Sequence, residues 1–312
     1  MDLTSARITD DDRRQLQALE AKINAILPPR YVGCFEDVPP SSMGSAKLKY
    51  GPDGRVAWGE IWTTFCHLAL AGGPPHRGRL LEPVPVAEAE ADRGALEKVV
   101  AEIERAIGLT TELTAVRSDC PGWVAVRCHD EDMAAWLQRA IVTENVIARR
   151  EGDKLFVPAG PQFRIEKEIK NVVVCLAKTC HYLLDHLEPD QRPTGLAAGA
   201  LIEPFLPDEI AAAPAQYAAA ANELDQALHP LNLATVRDIS PGWIGVRCQS
   251  EEMAVWMVRA VVVEDILARR EGAVLCLPLN IGENSVPERE RLLATVARTL
   301  RLWLVQAAAR GG

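Results

Sequence analysis

The sequence has no G-x-G-x-x-G, no Walker loop, no G-x-S-x-G and no H-E-x-x-H, so the short motifs of a nucleotide site, a hydrolase nucleophile or a metalloprotease centre are all missing. None of its eight cysteines forms a C-x-x-C, the commonest zinc and thiol-redox spacing. No run approaches the roughly 18 consecutive apolar residues that a membrane helix needs, and Met1 to Arg7 lack the charged-then-apolar layout of a signal peptide. A net positive charge is also lacking: acidic residues outnumber basic ones by 43 to 34, and the formal net charge of −9 repels a phosphate backbone. These absences lead us to expect a soluble, cytoplasmic protein with no nucleic-acid or membrane partner. Its cysteines read as reduced, mostly buried thiols and not as a disulfide framework.

What is present is a globular composition and a repeat. The 312 residues are 48 % apolar and 25 % charged, enough to bury a sizeable core. The stretch Val116 to Pro158 returns without a gap as Val236 to Pro278, and 23 of the 43 aligned pairs are identical, so the chain holds an internal duplication. Upstream, Leu80-Leu81-Glu82-Pro83 matches Leu201-Ile202-Glu203-Pro204 with one further residue of offset. Cys128 and Cys248 correspond, whereas Cys120, Cys175, Cys180 and Cys276 align with Ser240, Thr295, Leu300 and Phe156. Cysteines that do not recur are poor candidates for a shared metal or disulfide role.

Each copy reads as a strand, a helix, a hairpin bent at Pro-Gly-Trp, a second helix, a second hairpin and a closing helix. Apolar residues at 3-4 spacing mark the helices: Leu96 to Ile107, Met133 to Ile141 and Ile165 to Leu183, with counterparts at Tyr217 to Leu228, Met253 to Val261 and about Pro287 to Ala309. Ahead of them, Asp10-Asp11-Asp12 opens a helix with the stripe Leu16, Leu19, Ile23, Ile26. Residues 30–45 read as an irregular segment, 47–57 as a hairpin turning at Asp53-Gly54, and Trp58 to Ala69 as a helix. Cys66-His67 and Pro75 line up with Cys180-His181 and Pro189, so this part resembles a degenerate half repeat. The expected fold is α+β: an N-terminal part over 1–79, then full repeats over 80–198 and 199–312.

Several residues invite a functional reading. Gly72-Gly73-Pro74-Pro75 holds His76-Arg77 in a rigid loop, where imidazole and guanidinium would form an anion clamp or merely satisfy a helix C-terminus. Arg117 and Arg127, repeated as Arg237 and Arg247, could fork a carboxylate or phosphate beside Trp123 and Trp243. Structural alternatives stand beside these. The indoles would fill the core, and the repeat arginines, Arg149, Arg150, Arg269 and Arg270 included, would pair with Glu131, Glu144, Glu151 and their counterparts. Adjacent Cys and His on a helix point about 100° apart and cannot easily share an ion, so no metal site is expected.

The leading expectation is a binding protein for a small anionic metabolite or an unspecified cofactor, held by the His76-Arg77 loop and the repeat arginines. A second is an enzyme using His76 or His67 with Glu60 for acid–base chemistry on an anionic substrate. A third is a protein–protein interaction or assembly module, homo-oligomeric included.

Overall fold

The computed structural model describes residues 8–25, 47–63, 80–116, 118–199, 201–231, 233–237, 239–280 and 285–310. The fold is α+β, and the chain divides into two compact units, one of residues 38–199 and the other of 1–37 together with 200–312. Each unit is built around one four-stranded antiparallel sheet.

In the unit of residues 38–199, a short helix α2 (Val86–Ala91) precedes α3 (Arg93–Thr110), which leads into strands β1 (Thr114–Val116) and β2 (Trp123–Arg127). Helix α4 (Glu131–Val142), strands β3 (Arg149–Glu151) and β4 (Lys154–Pro158), and α5 (Lys170–His181) complete it. The other unit repeats the order with α6 (Pro207–Ala212), α7 (Pro214–Leu228), β5 (Thr235–Val236), β6 (Trp243–Arg247), α8 (Glu251–Val262), β7 (Arg269–Glu271), β8 (Val274–Pro278) and α9 (Ser285–Arg310). The sheets run β1-β2-β4-β3 and β5-β6-β8-β7. Their registers agree residue for residue: Trp123 faces Pro158 and Arg149 faces Phe156, as Trp243 faces Pro278 and Arg269 faces Cys276.

Local chemistry explains the shared plan. Asp130 caps α4 by accepting from the Met133 N–H at 2.7 Å, and Ser250 does the same for α8 through Met253 at 3.1 Å. Both helices unwind into a residue with φ of 61°, Asn145 or Asp265, side chains that tolerate the left-handed region. The carbonyl of each then accepts a hydrogen bond from Leu81 or Ile202, so the first expected strand is one parallel bridge. At Pro-Gly-Trp, Gly122 and Gly242 both have φ of 85°, and a Cβ at Gly242 would stand 2.3 Å from the Phe205 carbonyl oxygen. Only glycine serves there.

Two segments differ from expectation. The residue 47–57 hairpin is one antiparallel bridge, Tyr50 to Val56, because its arms are too short for a ladder. The described part of the following helix, Trp58–Thr63, is 3-10, with Trp58 and Ile61 buried. The short helices α2 and α6 have no counterpart in the sequence reading.

In the unit of the second repeat, α1 (Asp10–Ala25) packs against α8 and α9. Leu16, Leu19 and Ile23 are buried there, a gain of roughly 5–9 kcal/mol before ordering costs. Arg301 on α9 donates to Asp12 at 3.0 Å, and Lys22 donates to Glu264 at 2.9 Å. By length and composition Val286–Ala309 would reach across a membrane, yet half of its most apolar stretch is buried. Leu292, Val296, Leu300 and Trp303 on this helix belong to the core.

Candidate functional site

Cys66, His67, His76, Arg77 and Arg117 lie outside the described residues. Glu60 is exposed, with Lys49 3.5 Å away. On the first sheet Arg127 is exposed, 3.9 Å from Asp153, and Trp123 is half-buried. Arg237 donates to Asp225 at 2.7 Å, a carboxylate that also accepts from the Thr235 hydroxyl. Arg247 is exposed. Within the second repeat, then, Arg237 is held by Asp225, and Arg247 stands at the far end of β6 from Trp243.

The expected arginine–glutamate network is present at Arg269 and Glu271, 2.6 Å apart, while Glu144 and its counterpart Glu264 are paired with cations of the closing helices. Glu144 pairs with Lys178 of α5, both side chains being almost fully buried, and the equivalent Glu264 pairs with Arg298 of α9 and with Lys22 of α1. Burial opposes ionisation of Glu264, but hydrogen bonds from Lys22 and Arg298 outweigh it and lower its pKa. Arg150 is used structurally, donating to the Ala197 carbonyl at 2.9 Å. Cys180 is buried, which pushes its thiol well up, and His181 pairs with Asp185 one turn on. Among the described residues no group of three or more His, Cys, Asp and Glu is arranged to hold a metal.

One arginine does reach Trp243. Arg269 is fully buried on the edge strand β7, its guanidinium carbon 5.3 Å from the centre of the Trp243 ring. One terminal nitrogen, Nη1, donates to Glu271 at 2.6 Å. The other, Nη2, reaches the Ser240 hydroxyl at 3.5 Å, the outer limit of a hydrogen bond. Its Nε and the Trp243 indole Nε1 are both buried and make no hydrogen bond. Alternation along the strands puts Trp243, Gly245, Cys276 and Arg269 on one sheet face. At Gly245 a Cβ would stand 2.3 Å from the end of the Ile239 side chain, which folds over this face. Burial pushes the neighbouring Cys276 thiol up to about 11, although the Arg269 cation pulls the other way.

A second feature of this unit is a small solvent-open cleft lined by Ala220, Leu224, Leu279 and Leu292. At its rim, Asn280 donates to Glu288, and Arg289 is turned toward Glu223 on α7 at 2.6 Å. Burial raises the Glu288 pKa, with Arg291 only partly opposing it. The repeat pattern marks Arg269 only as one of several strand arginines with a glutamate partner, and it does not mark this rim. The usable signal was the positions where the copies differ: Val99 against Ala220, and Ile169 against Arg289.

No family model matches the chain, and neither does any curated protein or solved structure.

Proposed function

We propose that the protein binds a small carboxylate-bearing ligand beside Trp243 and Arg269. The observation that carries this reading is the unfilled edge of the Arg269 guanidinium. A planar carboxylate takes two parallel N–H bonds from one arginine edge. Glu271 occupies Nη1, which leaves the edge formed by Nε and Nη2 with only the long Ser240 contact. The Trp243 indole N–H supplies a third donor on the same sheet face. Buried donors without acceptors cost about 1–3 kcal/mol each, so a ligand that satisfies them gains what the free protein forgoes.

A ligand would have to enter past β7, an edge strand of three residues with Glu271 partly exposed at its end. The proposed ligand is an anion, as the sequence leads one to expect, but it is held on the second sheet and not at the His76-Arg77 loop. His67 and His76, the residues of the acid–base alternative, lie outside the described residues, and Glu60 stands 3.5 Å from Lys49. The six described cysteines are all free, which supports placing the protein in the reducing cytoplasm.

The test is titration with acetate, succinate and benzoate, following the tryptophan indole N–H resonances of nitrogen-labelled protein. The Trp243 signal, assigned with Trp243→Phe, should shift and saturate. Arg269→Lys keeps the charge but loses the planar edge, and should weaken binding at least about tenfold, or 1.4 kcal/mol. Saturable binding that survives Arg269→Lys, or no movement of the Trp243 signal with any carboxylate, sinks the proposal.

A further inference from the structure

The cleft floored by Ala220 and Leu292 has an internal control, because the first repeat carries the same elements with different side chains. Ala220 corresponds to Val99 and Arg289 to Ile169. In the first repeat Val99 is buried on α3, and Ile169 is buried at the end of the Ile165–Ile169 turn, which packs on α3. The second repeat substitutes a methyl for the valine and turns the residue at the isoleucine position outward to Glu223. The cleft is therefore the space that branched aliphatic side chains fill in the other copy.

The rim differs in the same sense. Glu168, which corresponds to Glu288, lies beside Arg164: burial opposes its ionisation, but three hydrogen bonds from Arg164 prevail and hold its carboxyl down to about 2. The position of Arg164 is Asn284 in the second copy. Glu288 accepts from the neutral amide of Asn280 instead, and the nearby Arg291 donates to the Asp265 carbonyl at 2.9 Å. The second repeat thus has an aliphatic hole with a half-buried carboxyl at its mouth, where the first has a filled core and a carboxylate clamped by a cation.

We propose that this cleft is a binding site for a branched aliphatic ammonium, such as the free N-terminal valine, leucine or isoleucine of a peptide, the alkyl group entering above Ala220 and Leu224 and the ammonium meeting Glu288. Burying the branched alkyl group drives binding, and the charge-assisted hydrogen bond selects the cation. The site is separate from the carboxylate proposal, and either can fail without the other.

The experiment is calorimetric titration of the full chain with isoamylamine, isoamyl alcohol and isovalerate as probes. Saturable binding of the amine, at least about tenfold tighter than the alcohol, is expected. Ala220→Val should abolish it while holding or raising the melting temperature, because it restores the side chain of the first repeat. Glu288→Gln, at the partly exposed rim, should abolish the preference for amine over alcohol. The proposal is overturned if the amine does not saturate, if alcohol or isovalerate binds as tightly, or if both variants bind the amine like the parent.

Discussion

Replacing Lys178 by methionine should cost far more stability than replacing Arg298, its counterpart in the second repeat. Both cations face the same repeated glutamate, but burial differs: the side chains of Lys178 and Glu144 are 3 % and 7 % exposed, against 44 % and 16 % for Arg298 and Glu264. Lys178→Met removes the cation from an ion pair buried on both sides, for which the expected loss is about 3–5 kcal/mol. Arg298→Met leaves Glu264 with Lys22 and some solvent, so the loss should stay near 1 kcal/mol or below. Urea unfolding followed by far-ultraviolet circular dichroism measures both. The double variant Glu144→Gln, Lys178→Met should recover much of the loss, because neither side chain then carries a buried charge. Equal losses for the two single variants would refute the reasoning, as would a double variant no more stable than Lys178→Met.

Arg164→Met should destabilise the protein at neutral pH and cease to matter in acid. The folded Glu168 pKa is lowered to about 2, so its contribution is complete above the unfolded carboxylate range near 4.5 and is lost as pH falls toward 2. Melting temperatures of parent and variant should converge over that window, and a gap that persists at its lower end contradicts the assignment. Gly242→Ala should be more damaging than Gly122→Ala. Both force an L-residue into the left-handed region at about 1–2 kcal/mol, but the new Cβ meets the Phe205 carbonyl oxygen at 2.3 Å in one case and the Val84 carbonyl oxygen at 3.1 Å in the other. Urea midpoints that coincide for the two variants contradict this ordering. Iodoacetamide at neutral pH should label Cys120, which is exposed, well before Cys128, Cys175, Cys180, Cys248 and Cys276, whose thiols burial pushes up. Peptide mapping of native against denatured protein reads this directly.

The parts of the fold that could be read from the sequence were those with a long period. The helices α3, α4, α5, α7, α8 and α9 carry several turns of apolar stripe, and the hairpins are bracketed by Pro-Gly-Trp and by the glycine turns at Gly152 and Gly272. The helices α2 and α6 span six residues each, too few for a stripe to repeat. The Leu16, Leu19 and Ile23 stripe shows that α1 needs a partner but cannot say that the partner is α9, some 290 positions on. Glu144 and Lys178 are 34 residues apart, and only the recurrence of a cation at 298 within an apolar helix hinted at the pairing. As for the site, four strand arginines per repeat look alike in sequence. What distinguishes Arg269 is burial against an indole, a property of the assembled sheet face.

The association of α1 with α8 and α9 has a consequence for how the chain is made. The unit that contains α1 is closed by residues near the other end of the sequence, and all of residues 38–199 lie between. During synthesis the inner unit can finish while the outer one is still waiting for α9. At roughly 5–20 residues per second, Leu16, Leu19 and Ile23 stay without their final partner for about 15–60 s after they emerge. Order of folding is thus the reverse of order of emergence for these elements, and a chaperone that shields nascent apolar helices would find in α1 its longest-standing client on this chain.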